Sequence, residues 1–468
     1  MTKYWFFDPA LARATENVRV LPGQVRKDRR NPLFGEGVFA QPALPWEPRF
    51  DNGYPNVFYD PLCGKYRCYY TSFIRDDSSA HTPLSARPGQ TFRSSGERVV
   101  GLLYAESTDG ISWQKPPLGV TEWMGSRDNN ILMTYTHGAS VLLDQAETDP
   151  ERRYKLIARD DHQPRRLCVA FSGDGIHFSA LTPIPELAEK VPGDTHNFVV
   201  RDAATGRYVL YTRLFTRELR TVGRMESEDF IHWTPPLEVL AGQGRDDQVY
   251  AMPAFWQDGL CFGLAAIFHA GDRDAPRHDH VEVELTFSGD GVRWQRVAPG
   301  LPFIGNGAGA YPDGAYDAGC CFASAPVRVG DAYRFYYMGG NGTHYAFRET
   351  GLCLAEISPD KLAGITAARA EKPLIFQTNR IQWQGGACAV CADVALDGCV
   401  RYELLDAAGN TLAGFGAEDC LPITEGGGRL AWQGNPTPPE QVMLRFVCRG
   451  ATLYSLSGDY ALLPIHPL

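Results

Sequence analysis

Acidic residues stand just ahead of a series of short apolar runs, and they are the side chains of this sequence best suited to chemistry. Asp51 lies in Arg49-Phe50-Asp51-Asn52-Gly53-Tyr54, before Asn56-Val-Phe-Tyr59. Asp194 leads through His196 and Asn197 into Phe198-Val-Val200. Asp246 and Asp247 lead into Gln248-Val-Tyr250, and Asp313 and Asp317 precede Cys321-Phe-Ala. One run has no acid: Tyr135-Thr-His137-Gly138 stands before Ala139-Ser-Val-Leu-Leu143. Two carboxyl groups facing one bond can divide the work, one giving a proton and the other acting as base or nucleophile. Asp and Asn are also common turn formers before strands, so each residue taken singly has a structural reading of equal weight. Acids at matching places before four of five runs lift the group above that reading. Glu282 and Glu284, in Val281-Glu-Val-Glu-Leu285, share one strand face and need partners or solvent there, which makes Glu284 a lesser candidate.

A repeat positions these residues. Ser107-Thr-Asp109-Gly110-Ile-Ser-Trp113, Ser172-Gly-Asp174-Gly175-Ile-His-Phe178, Ser227-Glu-Asp229-Phe230-Ile-His-Trp233 and Ser288-Gly-Asp290-Gly291-Val-Arg-Trp294 are copies of one pattern. Their spacing of about 55 to 65 residues is that of an architecture built from one supersecondary unit. The pattern has the chemistry of a turn: Asp bonds amides just downstream, Gly takes positive φ, and the aromatic pins the loop. Strand-like runs precede each turn, among them Gly64-Lys-Tyr66-Arg-Cys-Tyr-Tyr70, Tyr154-Lys-Leu-Ile-Ala158, Tyr208-Val-Leu-Tyr211 and Tyr333-Arg-Phe-Tyr-Tyr337. Gly351-Leu-Cys-Leu-Ala-Glu356 reads as a degenerate fifth copy. Five four-stranded units set radially make a β-propeller, so the expected class is all-β, a five-bladed propeller followed by a β-sandwich.

The expected domains are an extended arm over 1–39, broken by Pro9, Pro22 and Pro32, the propeller over 40–375, and the sandwich over 376–468. Forty-eight Gly and 33 Pro suit a turn-dense all-β chain. A net charge of −10 with no basic stripe argues against nucleic acid, and no apolar run is long enough to span a bilayer. Twelve Cys without small-domain disulfide spacing, and no signal peptide at the first residues, point to the cytoplasm. Cys388-Ala-Val-Cys391 lacks a second pair at metal spacing and reads as buried strand cysteines, so neither a metal nor a cofactor is expected.

The Ser-x-Asp-Gly-x-x-Trp turns, the five-unit period and the trailing sandwich resemble the five-bladed β-propeller glycosidases, the broad set holding glycoside hydrolase families 32, 43 and 68. In that set the catalytic carboxylates sit at the starts of the innermost strands, where successive blades converge on one channel mouth. The resemblance implies Asp51 as nucleophile or base and Asp194 as acid, with Asp317 a third catalytic candidate. It implies Asn52, His137, His196, Asn197 and Asp247 as substrate-binding residues, to which the strand-face reading adds Glu284. The Trp-x-Asn-Asp-Pro-Asn, Arg-Asp-Pro and Glu-Cys motifs of the invertase type are absent, which marks a divergent branch.

The function this implies is hydrolysis of small glycosides or oligosaccharides, furanosides such as fructo- or arabinofuranosides being favoured by the resemblance, with paired carboxylates as catalysts. The alternatives are a glycoside phosphorylase, with Arg49, Arg93 and His137 able to meet phosphate, and a carbohydrate-binding propeller without catalysis. The expected partner is a small carbohydrate, with no nucleic acid and no membrane, and a homo-oligomer stays open. A long insertion in the first unit, Arg75 to Arg98, is expected to wall one side of the channel. Two working carboxyls at close range are expected to raise one pKa.

Overall fold

The computed structural model describes residues 2–39, 44–94, 96–187 and 191–463. The chain folds as two compact units: residues 25–296 with 302–356, and residues 1–24, 297–301 and 357–468. Where the sequence suggests a single arm over 1–39, the strand segments there divide between these units.

The larger unit holds five successive antiparallel blades in sequence order, three as separate four-stranded sheets and the last two joined into one eleven-stranded sheet by a parallel bridge between Val281 and Cys320. Blade one is Asn56–Asp60, Lys65–Arg75, Val99–Ser107 and Ile131–Thr134. Blade two is Thr136–Leu143, Tyr154–Asp160, Arg166–Ser172 and Thr182–Pro183, and blade three is Phe198–Arg201, Tyr208–Thr216, Leu219–Ser227 and Leu237–Ala241. Blade four starts at Gln248–Ala251 and runs through Leu260–Phe268 and Val281–Ser288 to Gln295–Arg296. Blade five takes Cys320–Ala323, Ala332–Gly340 and Thr350–Ile357 from its own segment, but its outer edge comes from the beginning of the chain. Arg26–Lys27 pairs with Glu356 and Ala355, and Phe34–Gly35 pairs with Leu352 and Gly351. That closure covers an edge which would otherwise present unpaired amides and carbonyls. The fold is the propeller that the repeat implies.

The repeated turn clasps neighbouring blades as well as closing its own. In each copy one Asp oxygen accepts two backbone amides: Ile111 and Ser112 on Asp109, Ile176 and His177 on Asp174, Ile231 and His232 on Asp229, and Val292 and Arg293 on Asp290, all at 2.7–2.9 Å. The next carbonyl then accepts a tyrosine hydroxyl from an adjacent blade. Tyr336 donates to Gly110, Tyr69 to Gly175 and Tyr211 to Gly291, at 2.8–2.9 Å. A Cβ on Gly110, Gly175 or Gly291 would come within 2.4, 2.7 or 3.0 Å of that hydroxyl, and each glycine also has positive φ. The third copy breaks the rule in a consistent way. Phe230 stands where the others have Gly, and its ring is buried in a cluster with Ile157 of blade two.

In the smaller unit the strands are hydrogen-bonded into one eight-stranded sheet. Its two long strands, Ile381–Leu405 and Gln441–Leu462, pair from Trp383 with Tyr460 to Leu405 with Met443, numbers rising on one as they fall on the other. Thr2–Trp5, Ala12–Glu16 and Val18–Pro22 add to this sheet. Cys388, buried in it, has its thiol pushed up to about 12 by that burial.

Candidate functional site

Antiparallel pairing decides which segments share the channel mouth. The start of each innermost strand lies opposite the end of the second: Asn56 faces Tyr69, His137 faces Arg159, Phe198 faces Tyr211, Gln248 faces Phe268 and Cys320 faces Gly340. The loops after the second strands therefore return to the end where the innermost strands begin.

Blade one delivers Asp51 and Asn52 on a tightly wound loop, with Asp51 at φ 57° and Tyr54 at φ 38°. Non-glycine residues are held in this left-handed region only where their surroundings enforce it. Here two buried guanidiniums do so: Arg49 and Arg348 meet the same Asp51 oxygen at 3.0 and 3.1 Å. Burial by itself would raise the Asp51 pKa, but Arg348 and Arg49 hold it well below the ordinary carboxylate range. Arg348 also donates to Asn52 Oδ1 at 2.8 Å, and Asn52 Nδ2 donates to the hydroxyls of Tyr54 and Tyr250.

Blades two and three meet beside this group. A Cβ on Gly138 would sit 1.7 Å from the Thr195 carbonyl, so the two innermost strands approach this closely only because Gly138 has none. His137 is buried, with Nε2 3.5 Å from Asp194 and Nδ1 2.8 Å from Arg159. Arg159 bonds Asp161 at 2.6 Å and lies 3.6 Å from Asp194. Asp194 is the open carboxylate of the mouth, its side chain 49% exposed. Its partial burial acts to raise the pKa, yet His137, Arg159 and Arg213 bring it below the ordinary value. The expected raising of one carboxyl is thus reversed at both positions, because guanidiniums outnumber acids around them.

Tyr54 lies between His137 and His196, its ring centroid 5.9 and 5.7 Å from theirs. Burial lowers the His196 pKa to about 3, and its Nε2 has no hydrogen-bond partner. Asp51, Asn52, His137, Asp194 and His196 therefore gather around Tyr54 and Tyr250.

The remaining candidates are occupied by hydrogen bonds and ion pairs within the protein. Asn197 donates to the carbonyls of Gly138, Gly193 and Thr195 and accepts from Thr212, which pins the start of its strand. Asp247 and Glu284 both clasp the Arg296 guanidinium at 2.7 Å. Asp317 is 1% exposed, paired with Lys27 at 2.6 Å and bonded by the Tyr337 hydroxyl at 2.8 Å. Asn341, the asparagine of an Asn-Gly-Thr glycosylation pattern, is buried and bonded to Glu349.

Sequence reasoning passes over Arg348, Tyr54, Tyr250, Arg220 and His344. Arg220, His344 and Arg348 follow second strands, so the pairing rule above would have singled them out. Asp279, in the corresponding loop of blade four, is also buried at φ 64°, with Oδ2 accepting the Tyr345 amide and Oδ1 unpartnered. The 75–98 insertion reaches blade five's last loop: Arg87 pairs with Glu349 at 2.7 Å, Phe92 donates to the Tyr345 carbonyl, and Arg49 stacks 3.6 Å above the Phe92 ring.

No protein-family model and no curated protein matches the chain. Among solved structures it is similar to one from the GH130 family of mannoside phosphorylases, described as containing glycoside hydrolases that target β-1,2-mannosidic linkages in Candida mannan. The identity is 17%, the TM-score 0.46, and the match covers 71% of this chain and 94% of that one. A glycosyl hydrolase from Bacteroides ovatus matches at 17% identity and TM-score 0.47, over 71% of this chain and 94% of that one. The α-L-arabinofuranosidase of Podospora anserina matches at 14% identity and TM-score 0.44, over 72% of this chain and 98% of the other.

Proposed function

We propose that this protein cleaves the glycosidic bond of a small glycoside at the propeller mouth, with Asp51 and Asp194 as its working carboxylates. The observation that carries the reading is the pairing of a firmly ionised, arginine-held Asp51 with a half-exposed Asp194 across the Tyr54–Tyr250 cluster. A carboxylate kept charged suits the base or nucleophile. Asp194 has the complementary property. A sugar lying over its exposed face would strip water from it and push its pKa upward, towards that of a proton donor. His137 and Arg159 fix its orientation. Asn52, the two tyrosines and His196 supply hydrogen-bonding and stacking surface for the sugar ring. Asp317, enclosed with Lys27, holds blade five together in this reading.

Furanosides remain the sugars suggested by the resemblance, and the cytoplasm remains the proposed setting. A panel of nitrophenyl furanosides and pyranosides, assayed with and without phosphate, tests the reading. Release of nitrophenol that is lost in Asp194→Asn supports it, and cleavage of no glycoside in the panel would count against it.

A further inference from the structure

Arginines at the mouth divide into two kinds. Arg49 and Arg348 share Asp51, and Arg159 has Asp161. Arg213 and Arg220 have no carboxylate in ion-pair contact among the described residues, Asp194 acting on Arg213 only from further off. Arg213 is 3% exposed and donates Nε and Nη2 to the Tyr250 carbonyl. Arg220 donates to Gln248 Oε1, and its Nε is a buried donor with no partner. Both guanidiniums lie over the one Tyr250 ring, at 4.0 and 5.2 Å from its centroid. Two like charges held against one ring repel, and an aromatic face offsets only part of that cost. His344 adjoins them, its Nε2 3.1 Å from the Tyr250 hydroxyl and its Nδ1 buried without a partner. Burial, with Arg348, Arg220 and Arg213 around it, keeps this imidazole neutral, its pKa lowered to about 3. Such a positive spot contrasts with a chain of net charge −10.

We infer that Arg213, Arg220 and His344 form a subsite for an oxyanion beside the cleavage site, the anion being either a carboxylate carried by the sugar or free inorganic phosphate. The placement beside the scissile bond rests on the cleavage reading above; the anion site itself does not. An oxyanion there would accept from Arg220 Nε and His344 Nδ1, buried donors without a partner among the described residues, with the Arg213 guanidinium adding its charge beside them.

Isothermal titration calorimetry on the full chain, with inorganic phosphate, methyl glucuronide and neutral methyl glucoside, tests the subsite without requiring turnover. At least one of the two anions should bind at least about tenfold more tightly than the glucoside. Arg213→Gln and Arg220→Gln should each weaken anion binding by about tenfold or more. Arg220 lies nearer solvent, so its variant decides the matter should Arg213→Gln fail to fold. Binding of phosphate alone identifies free phosphate as the source, and binding of the glucuronide alone identifies an acidic sugar. No binding of either anion at millimolar concentration, or binding unchanged in the folded variants, would overturn the inference. Anion binding with no glycoside cleaved would refute the cleavage reading only.

Discussion

Asp51 and Asp194 occupy similar places in their blades but differ in what their removal tests. Asp51 neutralises two buried guanidiniums, so Asp51→Asn leaves Arg49 and Arg348 facing a neutral amide. It should lower the thermal midpoint as well as turnover, with about 3–5 kcal/mol at stake. Asp194 is half-exposed, and Asp194→Asn is the cleaner experiment. It should cut kcat on a cleaved glycoside by about a thousandfold with the melting temperature nearly unchanged. Near-normal turnover in that variant would make Asp194 a turn former. His196 gives a test that needs no substrate. Its folded pKa of about 3 lies below the unfolded value near 6.5, so the unfolded state takes the proton first as pH falls. Its contribution to stability is intact above pH 6.5 and is lost progressively down to about pH 3. His196→Leu should therefore flatten denaturant-measured stability across that window, and an unchanged slope would contradict the buried neutral imidazole.

At the scale of elements, the repeated turn joins local and long-range demands in one residue. The Asp109, Asp174, Asp229 and Asp290 carboxylates organise amides two and three residues on, a purely local task. The glycine that follows answers to a neighbouring blade, because its carbonyl meets a tyrosine hydroxyl at a distance no Cβ allows. Gly175→Ala should thus cost about 2 kcal/mol or more, since the positive φ and the close contacts with Arg67 and Tyr69 oppose it. In Tyr69→Phe the donor is gone and the clash eased, so the same alanine should cost less, as a double-mutant cycle by chemical denaturation would read. Additivity in that cycle would rule out the clasp.

The whole propeller depends on closing a ring from two distant parts of the sequence. Lys27, on the strand that completes blade five, donates to Asp317 and to the Gly305 carbonyl. Lys27→Met would leave Asp317 as a buried unpaired charge and should destabilise this unit by about 3–5 kcal/mol. Adding Asp317→Asn should restore part of that loss. A neutral effect of Lys27→Met would show that Asp317 has another cationic partner and that the closure needs no ion pair. Expected turnover of the refolded double variant is near normal, which separates a holding role for Asp317 from a catalytic one.

The four turn copies in the sequence settled the blade repeat, because an Asp turn is local chemistry that any reader of Ser-x-Asp-Gly can recognise. They also settled where innermost strands begin, and so brought Asp51, His137, Asp194 and His196 to one place. What followed depended on partners distant in sequence. Arg348 reaches Asp51 from blade five, 297 residues away, and Arg26–Lys27 comes from the far end of the chain to finish the last sheet. The sequence could not separate Asp194, left open at the mouth, from Asp317, sealed against Lys27, since both precede an innermost strand. Nor could it show that arginines from other blades lower both mouth carboxyls. Local patterns specify turns and strands, whereas charge balance and accessibility are properties of the space between blades. Only the closed ring creates that space.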